Sequence, residues 1–182
     1  MPLTKQYRWL ADEPGTRMIK EALSLLDTSE VLGVKNNPTI IAWAKEVGGN
    51  VADVYKADSI PWCGLFMAVV GKRANKEIVA APLWALNWGN FGHQSPKPML
   101  GDVLVFVRRT SNGSRAGHVA LYVGEDNECF HILGGNQSDK VCVTRIKKNR
   151  LYAARRPNYN VQPSNVRVIK LTSKGSVSTD EQ

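Results

Sequence analysis

The chain has 182 residues, of which 43% are hydrophobic and 22% charged, a composition that excludes disordered, collagen-like and coiled-coil proteins. Its length corresponds to one domain that buries about 70% of the surface exposed by the unfolded chain, so its core needs neither disulfides nor a metal. Lys and Arg outnumber Asp and Glu by 24 to 16, mostly in the second half. That excess indicates an anionic partner such as nucleic acid, a membrane surface or a cell-wall polymer.

Neither a membrane span nor a signal peptide is visible in the sequence. No run approaches the ~18 apolar residues of a transmembrane helix, and the N-terminus lacks the apolar segment of a signal peptide. We therefore expect synthesis in the cytoplasm without stable membrane insertion. A protein of this kind reaches another compartment only by release or delivery.

Three segments of the first half predict helices. Apolar residues at spacings of three and four predict a helix over residues 16–26. Asn37 followed by Pro38 is typical of a helix start, because asparagine caps and proline fits the first helical position. A third helix is predicted over residues 62–74, with Cys63 in its opening turn.

The second half changes to short apolar and β-branched runs separated by Gly, Asn, Asp and Lys. Five runs predict antiparallel strands, at residues 103–107, 118–123, 129–133, 141–146 and 151–154. Helices followed by strands are typical of an α+β domain with the helices on one side of the sheet. We assign residues 1–157 to this domain and predict a loosely ordered tail over residues 158–182. Residues 84–92 predict a loop or a short helical turn.

The three cysteines differ in their sequence setting. Cys63, Cys129 and Cys142 form no CxxC pair and no zinc pattern. Cys129 and Cys142 lie in strand-like runs, where cysteine is usually a small core residue. The first turn of a helix, by contrast, stabilises a thiolate through its unpaired N–H groups and its dipole. Cys63 is therefore the candidate nucleophile.

A thiolate nucleophile needs a base that takes and returns a proton, and the histidines are His93, His118 and His131. His118 opens a predicted strand after a polar loop, so we expect its ring to face a cleft. The imidazole also needs an orienting partner. Asn136, in a Gly-Gly-Asn-Gln string, is one candidate, and His131, which we expect to neighbour His118 across a hairpin, is the other.

Several short strings occur in an order that resembles the CHAP family of cysteine, histidine-dependent amidohydrolases/peptidases and the related NlpC-type cell-wall peptidases. They are Asp58-Ser59-Ile60-Pro61-Trp62-Cys63, Trp84-Ala85-Leu86-Asn87-Trp88-Gly89, Gly101-Asp102-Val103, Gly117-His118-Val119, Leu133-Gly134-Gly135-Asn136-Gln137-Ser138 and Arg155-Arg156-Pro157. The Pro-Trp-Cys and Gly-Gly-Asn-Gln-Ser strings are the most specific. The chain looks most similar to a subgroup of small phage and prophage lysis proteins.

The resemblance implies a papain-like fold and a monomeric, cofactor-free hydrolase. Its substrate would be the peptide part of bacterial peptidoglycan, cut as an amidase or an endopeptidase. Cys63 would attack the carbonyl, His118 would act as base and then acid, and Asn136 would orient the imidazole. NlpC-type enzymes often use a histidine in the third role, which points to His131. Such an endolysin-like protein would act on the wall after holin-dependent release or as a virion component.

Four further residues are candidates for substrate contact: Asp58, Trp62, Trp84 and Trp88. Asp58 matches the pattern of the resembling subgroup and also suits a role in shaping the loop before Cys63. The tryptophans either line a cleft or fix their loops onto the core.

Three other interpretations lead to different functions. A nucleic-acid-binding module would use residues 147–150, but the sequence contains no recognised nucleic-acid-binding motif, so we expect no such partner. A metal site formed by Cys63, His118, His131 and Cys142 disagrees with standard zinc spacings, so we expect no metal. A virion protein with the same fold could bind the wall without hydrolysing it.

Overall fold

The structure is a computed structural model that describes residues 3–13, 15–33, 35–109 and 113–178. Its α-helices within these ranges are α1 (Trp9–Asp12), α2 (Arg17–Ser24), α3 (Pro38–Val47), α4 (Val51–Val54) and α5 (Cys63–Arg73). Its 3-10 helices are Lys5–Tyr7, Ala85–Asn90 and Lys148–Arg150. The three predicted helices correspond to α2, α3 and α5. The single-turn helices α1 and α4 were not predicted, because four residues are too few to show a helical period.

A six-stranded antiparallel sheet follows the helices. Its strands are β1 (His93–Gln94), β2 (Val103–Arg109), β3 (Arg115–Glu125), β4 (Cys129–Gly134), β5 (Cys142–Lys147) and β6 (Leu151–Arg156). Their order across the sheet is β1-β6-β2-β3-β4-β5. Five strands overlap the predicted ones, and the two-residue β1 is additional. The prediction of an α+β class with an antiparallel sheet is confirmed.

Helix starts follow from local sequence at α3 but not at α5. The Asn37 side chain accepts a hydrogen bond from the backbone N–H of Thr39 at 2.8 Å, and Pro38 opens α3. At α5 the N-cap is Trp62, which makes no side-chain capping bond. The N-cap residue of α5 therefore does not supply an acceptor for the N–H groups of the first turn, as Asn37 does for α3.

Helix α5 lies at the centre of the core. All of its residues from Cys63 to Gly71 are buried, and it contacts α2, α3, β3 and β4. A Cβ at Gly64 would lie 2.3 Å from the carbonyl oxygen of Pro82 and 2.8 Å from that of Leu83. Only glycine therefore allows the backbone at residues 82–83 to lie against the first turn of this helix.

The described part of the C-terminal tail runs back along the sheet. The backbone of Glu125 is hydrogen-bonded to Ile169 and Leu171, and Val177 forms a bridge with Arg145 on the edge strand β5. Up to residue 178 the tail is thus hydrogen-bonded to the domain, whereas the sequence predicted loose order. These bonds use backbone groups, which leave no pattern in the side chains.

A buried ion pair joins the start of β2 to the end of β6. Asp102 is fully buried and accepts hydrogen bonds from Ser95 Oγ at 2.6 Å and from the Met99 N–H at 2.9 Å. Its two carboxylate oxygens also accept from Nε and Nη2 of Arg156, each at 2.9 Å. Asp102 and Arg156 belong to two of the short strings that resemble the CHAP family, and both residues have a structural role here.

We expect Asp102→Ala to lower the free energy of unfolding by about 3–5 kcal/mol, because it leaves the Arg156 guanidinium without its carboxylate. Urea unfolding of the purified protein measures this change. The matched control is Glu13→Gln, which breaks the exposed Glu13–Arg167 pair and should cost less than about 1 kcal/mol. Equal losses in the two variants would contradict a structural role for the buried pair.

Candidate active site

Cys63 is the first residue of α5, and its side chain is buried. The N–H groups of a first helical turn and the positive end of the helix dipole favour negative charge on a side chain at this position. Burial instead raises the pKa of the Cys129 and Cys142 thiols. Both thiols therefore stay protonated at neutral pH. Cys129 is fully buried, as the sequence analysis expected of a core residue, whereas Cys142 is only partly buried.

His118 lies on β3 opposite Phe106 of β2, and its Nε2 is 3.1 Å from Oε1 of Gln137. The Gln137 side-chain N–H donates to the carbonyl oxygen of Cys142 at 2.6 Å, so its oxygen is the atom that faces the imidazole. An amide oxygen only accepts hydrogen bonds. Nε2 of His118 consequently carries a proton, which leaves Nδ1 as the ring nitrogen that can exchange a proton with another group.

One segment, residues 82–86, packs against the chain neighbours of both Cys63 and His118. Its first part lies against Gly64, as described above. Its last part lies against Gly117, where a Cβ would be 2.9 Å from the Leu86 side chain and 3.1 Å from Cβ of Ala85. The 82–86 segment therefore borders the residue after Cys63 and the residue before His118.

A second element, the turn at residues 135–137, borders the same region from β4. A Cβ at Gly135 would lie 2.6 Å from the Trp62 ring and 2.7 Å from Cβ of Phe66. Two residues later, Gln137 contacts His118. The 135–137 turn thus connects the start of α5 to the imidazole, and the fold brings the two predicted functional positions into one region.

The imidazole is held by Gln137 and not by Asn136, which corrects the expected third residue. Oδ1 of Asn136 is buried and makes no hydrogen bond within the described ranges. Asn136 has a φ of 56°, a left-handed conformation in the turn after β4, immediately before the side chain that contacts the ring. Room for that side chain comes from Gly134, where a Cβ would lie 2.8 Å from Oε1 of Gln137. In the sequence, two glycines followed by two adjacent amide residues were the signal from which Gln137 could have been identified.

His131 does not neighbour His118, so that expectation was wrong. The β3–β4 register places His131 opposite Gly124, six residues along β3 from His118 and thus roughly 20 Å away. Its Nδ1 lies 2.6 Å from Oη of Tyr7, and its Nε2 lies 2.9 Å from Oδ2 of Asp126. His131 therefore belongs to a separate buried network.

Charge in this network is carried by Asp126 and Arg145. Nε of Arg145 donates to Oδ2 of Asp126 at 2.8 Å. Although burial opposes it, hydrogen bonds from the backbone of Cys129 and Glu128, from His131 and from Arg145 hold the pKa of Asp126 far below its ordinary value. Burial lowers the pKa of His131 from 6.5, against the opposing effect of Asp126. The imidazole is thus neutral in the folded protein at neutral pH.

We expect this network to make the protein lose stability in mild acid. Because the pKa of His131 is lowered by folding, the unfolded chain takes up a proton below pH 6.5 that the folded chain does not. The free energy of unfolding should therefore be constant above about pH 7 and fall by up to ~1.4 kcal/mol per pH unit below that. Urea unfolding between pH 8 and pH 5 tests this. His131→Gln should reduce the slope, His93→Gln should keep it, and equal slopes in both variants would contradict the prediction.

Three of the four residues predicted to contact substrate instead contact the protein itself. The Asp58 carboxylate is buried and accepts from the backbone N–H groups of Val31 and Asn37, which agrees with its predicted role in shaping the loop. Trp62 and Trp88 are fully buried, and their indole N–H groups donate to Glu30 and Pro82 respectively. Such burial removes both rings from contact with a ligand. Trp84 is different, because 71% of it is exposed.

Neither candidate side chain opens onto a wide cleft. Cys63 is 4% exposed and His118 is 1% exposed, so the expectation that His118 faces a cleft is not met. A reacting carbonyl needs more room than this, and the 82–86 segment or the 135–137 turn would have to move to admit it. Ala81, the residue immediately before the 82–86 segment, has a φ of 47°, a conformation that costs a residue other than glycine about 1 kcal/mol or more.

The described ranges contain no group of three or more His, Cys, Asp or Glu residues arranged to hold a metal ion. Within the same parts of the chain, none of the helices has the length and apolar character needed to span a bilayer. The chain matches no protein-family model, no curated protein and no solved structure.

Proposed function

We propose that the protein hydrolyses an amide bond in the peptide part of bacterial peptidoglycan, with Cys63 as nucleophile and His118 as base and acid. The observation that carries this proposal is the hydrogen bond between Nε2 of His118 and Oε1 of Gln137, in the region where α5 begins with Cys63. This bond orients the imidazole so that Nδ1 is the nitrogen that can take a proton, in the region of the helix start that carries Cys63.

In the proposed mechanism, Nδ1 of His118 takes the proton from the Cys63 thiol. The thiolate attacks the carbonyl carbon, and the N–H groups of the first turn of α5 stabilise the oxyanion. The C–N bond then breaks, and His118 returns the proton to the leaving amine. Water, deprotonated by His118, hydrolyses the thioester and regenerates the thiol and a carboxylic acid. Gln137 keeps the ring in one tautomer throughout.

The choice of substrate rests on the resemblance to CHAP and NlpC-type proteins and on charge. The chain has a net charge of +8, which suits an anionic wall polymer. In a papain-like arrangement the nucleophile lies on a helix and the base on the sheet that packs against it. Helix α5 and strand β3 have this relation here.

Digestion of purified sacculi tests the proposal. We expect release of new amino groups that iodoacetamide abolishes and a chelator leaves unchanged. Mass spectrometry of the released fragments then identifies the bond, either between the lactyl group and the first alanine or within the stem peptide. Sedimentation of the protein with sacculi without any release would instead support a virion protein that only binds the wall.

A salt-dependent shift of DNA mobility that is lost in Lys147→Ala/Lys148→Ala/Arg150→Ala would instead support nucleic-acid binding. The structure disfavours this alternative, because part of the basic run is used internally. Nζ of Lys148 lies 3.5 Å from the Glu125 carboxylate and 5.4 Å from the centre of the Phe130 ring. Arg150 donates to the carbonyl of Ser178.

A further inference from the structure

A segment between α2 and α3, residues 28–31, is hydrogen-bonded to the loop that holds the imidazole of the candidate site. The backbone N–H of Glu30 donates to the carbonyl oxygen of Asp139 at 2.8 Å. That loop is closed on itself, because the backbone N–H of Gln137 donates to the carbonyl oxygen of Lys140 at 3.0 Å. The backbone of Glu30 is therefore tied to the same short loop that presents the Gln137 side chain to the ring.

The same segment also holds the chain that leads into α5. Oε1 of Glu30 accepts a hydrogen bond from the indole Nε1–H of Trp62 at 2.7 Å, and Trp62 is the residue immediately before Cys63. The next backbone N–H, that of Val31, donates to the Asp58 carboxylate at 3.1 Å. Glu30 thus contacts the nucleophile's side of the candidate site through its side chain and the imidazole's side through its backbone.

The Trp62 ring lies between these two sides. It is fully buried, and a Cβ at Gly135 would lie only 2.6 Å from it, so the ring is in direct contact with the 135–137 turn. An indole has a single hydrogen-bond donor and no acceptor. Glu30 accepts from that donor and therefore fixes the rotation of the ring, and any rotation would displace the turn that packs on it.

We propose that Glu30 is a positioning residue for the Cys63–His118 pair. Through the Trp62 ring and the Asp139 backbone, it fixes the start of α5 relative to the turn that holds the imidazole. This inference rests on the proposed function and adds to it a residue that does not touch the substrate. Without the acceptor, the buried indole N–H would lack a hydrogen bond, and the ring would turn to find one. The sulfur and the imidazole would then lose their alignment.

Three variants separate positioning from a general loss of stability. Glu30→Ala removes the acceptor, whereas Glu30→Gln keeps an oxygen that can accept from the indole N–H. The matched control is Glu46→Ala, which removes a carboxylate that accepts from Nε of Arg73, the last residue of α5, at 2.7 Å. Both alanine variants should lose stability in urea, because each removes a hydrogen-bonded carboxylate from one end of the same helix.

Kinetics should respond only to the change at residue 30. We expect Glu30→Ala to lower kcat on a soluble wall peptide by about tenfold or more with little change in KM. Its pH profile for alkylation of Cys63 should move toward that of His118→Ala. Glu30→Gln and Glu46→Ala should keep the wild-type kcat and profile. A wild-type profile in Glu30→Ala, an equal change in Glu46→Ala, or no recovery in Glu30→Gln would overturn the proposal.

Heteronuclear NMR of the histidine rings tests the positioning even if the protein hydrolyses nothing. The His118 signals, identified by their loss in His118→Ala, report whether Nε2 keeps its proton. Glu30→Ala should lose this single tautomer, and Glu30→Gln should keep it. Trp62→Phe, which retains a ring without the N–H, should behave like Glu30→Ala and replaces it if that variant does not fold. Unchanged His118 signals in these variants would contradict the role of Glu30, whereas failure to digest sacculi would contradict only the proposed hydrolase.

Discussion

Cys63→Ala is expected to reduce the release of amino groups from sacculi by on the order of 10³-fold or more, the loss typical when a covalent nucleophile is removed. Without the sulfur no thioester can form, and no other described residue at the start of α5 offers a nucleophile. Circular dichroism and urea unfolding should show a folded protein, because the change removes only one small buried atom.

The matched control for this variant is Cys129→Ala. Cys129 is as buried as Cys63, but it lies on β4, and burial raises the pKa of its thiol. The variant should lose some stability and keep most of its activity. In the wild-type protein, one equivalent of iodoacetamide at pH 7 should modify Cys63 first, as peptide mass mapping would show. Retained activity in Cys63→Ala, or preferential modification of another cysteine, would rule out the thiol mechanism.

The second large effect is expected at Gln137. Gln137→Ala removes the acceptor for Nε2–H of His118, so the ring can rotate and exchange tautomers. We expect kcat to fall by roughly 10- to 100-fold with little change in KM, since such a loss affects the transition state and not the binding of substrate. Steady-state kinetics on a soluble wall peptide measures both constants.

Gln137→Glu distinguishes positioning of the ring from a purely structural role. A carboxylate still accepts from Nε2–H, although it cannot donate to the Cys142 carbonyl as the amide does, so part of kcat should return. Its charge should raise the pKa of the imidazole and move the rate–pH profile to higher pH. Asn136→Ala is the neighbouring control, because Asn136 makes no hydrogen bond to the ring. The assignment of Gln137 would be wrong if Asn136→Ala lost kcat with the same shift while Gln137→Ala did not.

Alkylation of Cys63 tests its pairing with His118 without any substrate. The rate of alkylation of Cys63 as a function of pH reports how easily its thiol loses a proton. His118→Ala should move that profile toward the behaviour of an isolated thiol, and Gln137→Ala should move it part of the way. An unchanged profile in His118→Ala would show that the imidazole does not act on the sulfur.

The elements that depend on local sequence were predictable. Helix α3 was predicted because Asn37 and Pro38 define its start through contacts within three residues. Five strands were predicted because apolar and β-branched runs alternate with turn residues. The position of Cys63 in a first helical turn was predicted from the apolar run at residues 62–74, although no capping side chain of Trp62 marks that helix start.

The orienting residue could not be predicted in the same way. Asn136 and Gln137 are adjacent amides, and the choice between them depends on the left-handed backbone at Asn136 and on the space left by Gly134. The position of His131 depends on the register of β3 against β4. A hairpin pairs residues at equal distances from its turn, so His131, close to the turn, lies far from His118.

By itself, the sequence determined the α+β class, most helices and strands, and the candidate nucleophile and base, because these depend on patterns over a few residues. Only the tertiary structure decided that Gln137 holds His118, that Trp62 and Trp88 are buried while Trp84 is exposed, and that Glu30 joins Trp62 to the backbone of Asp139. Those features depend on which distant segments meet. That outcome is fixed by packing and strand register across the whole domain, which no short stretch of sequence encodes.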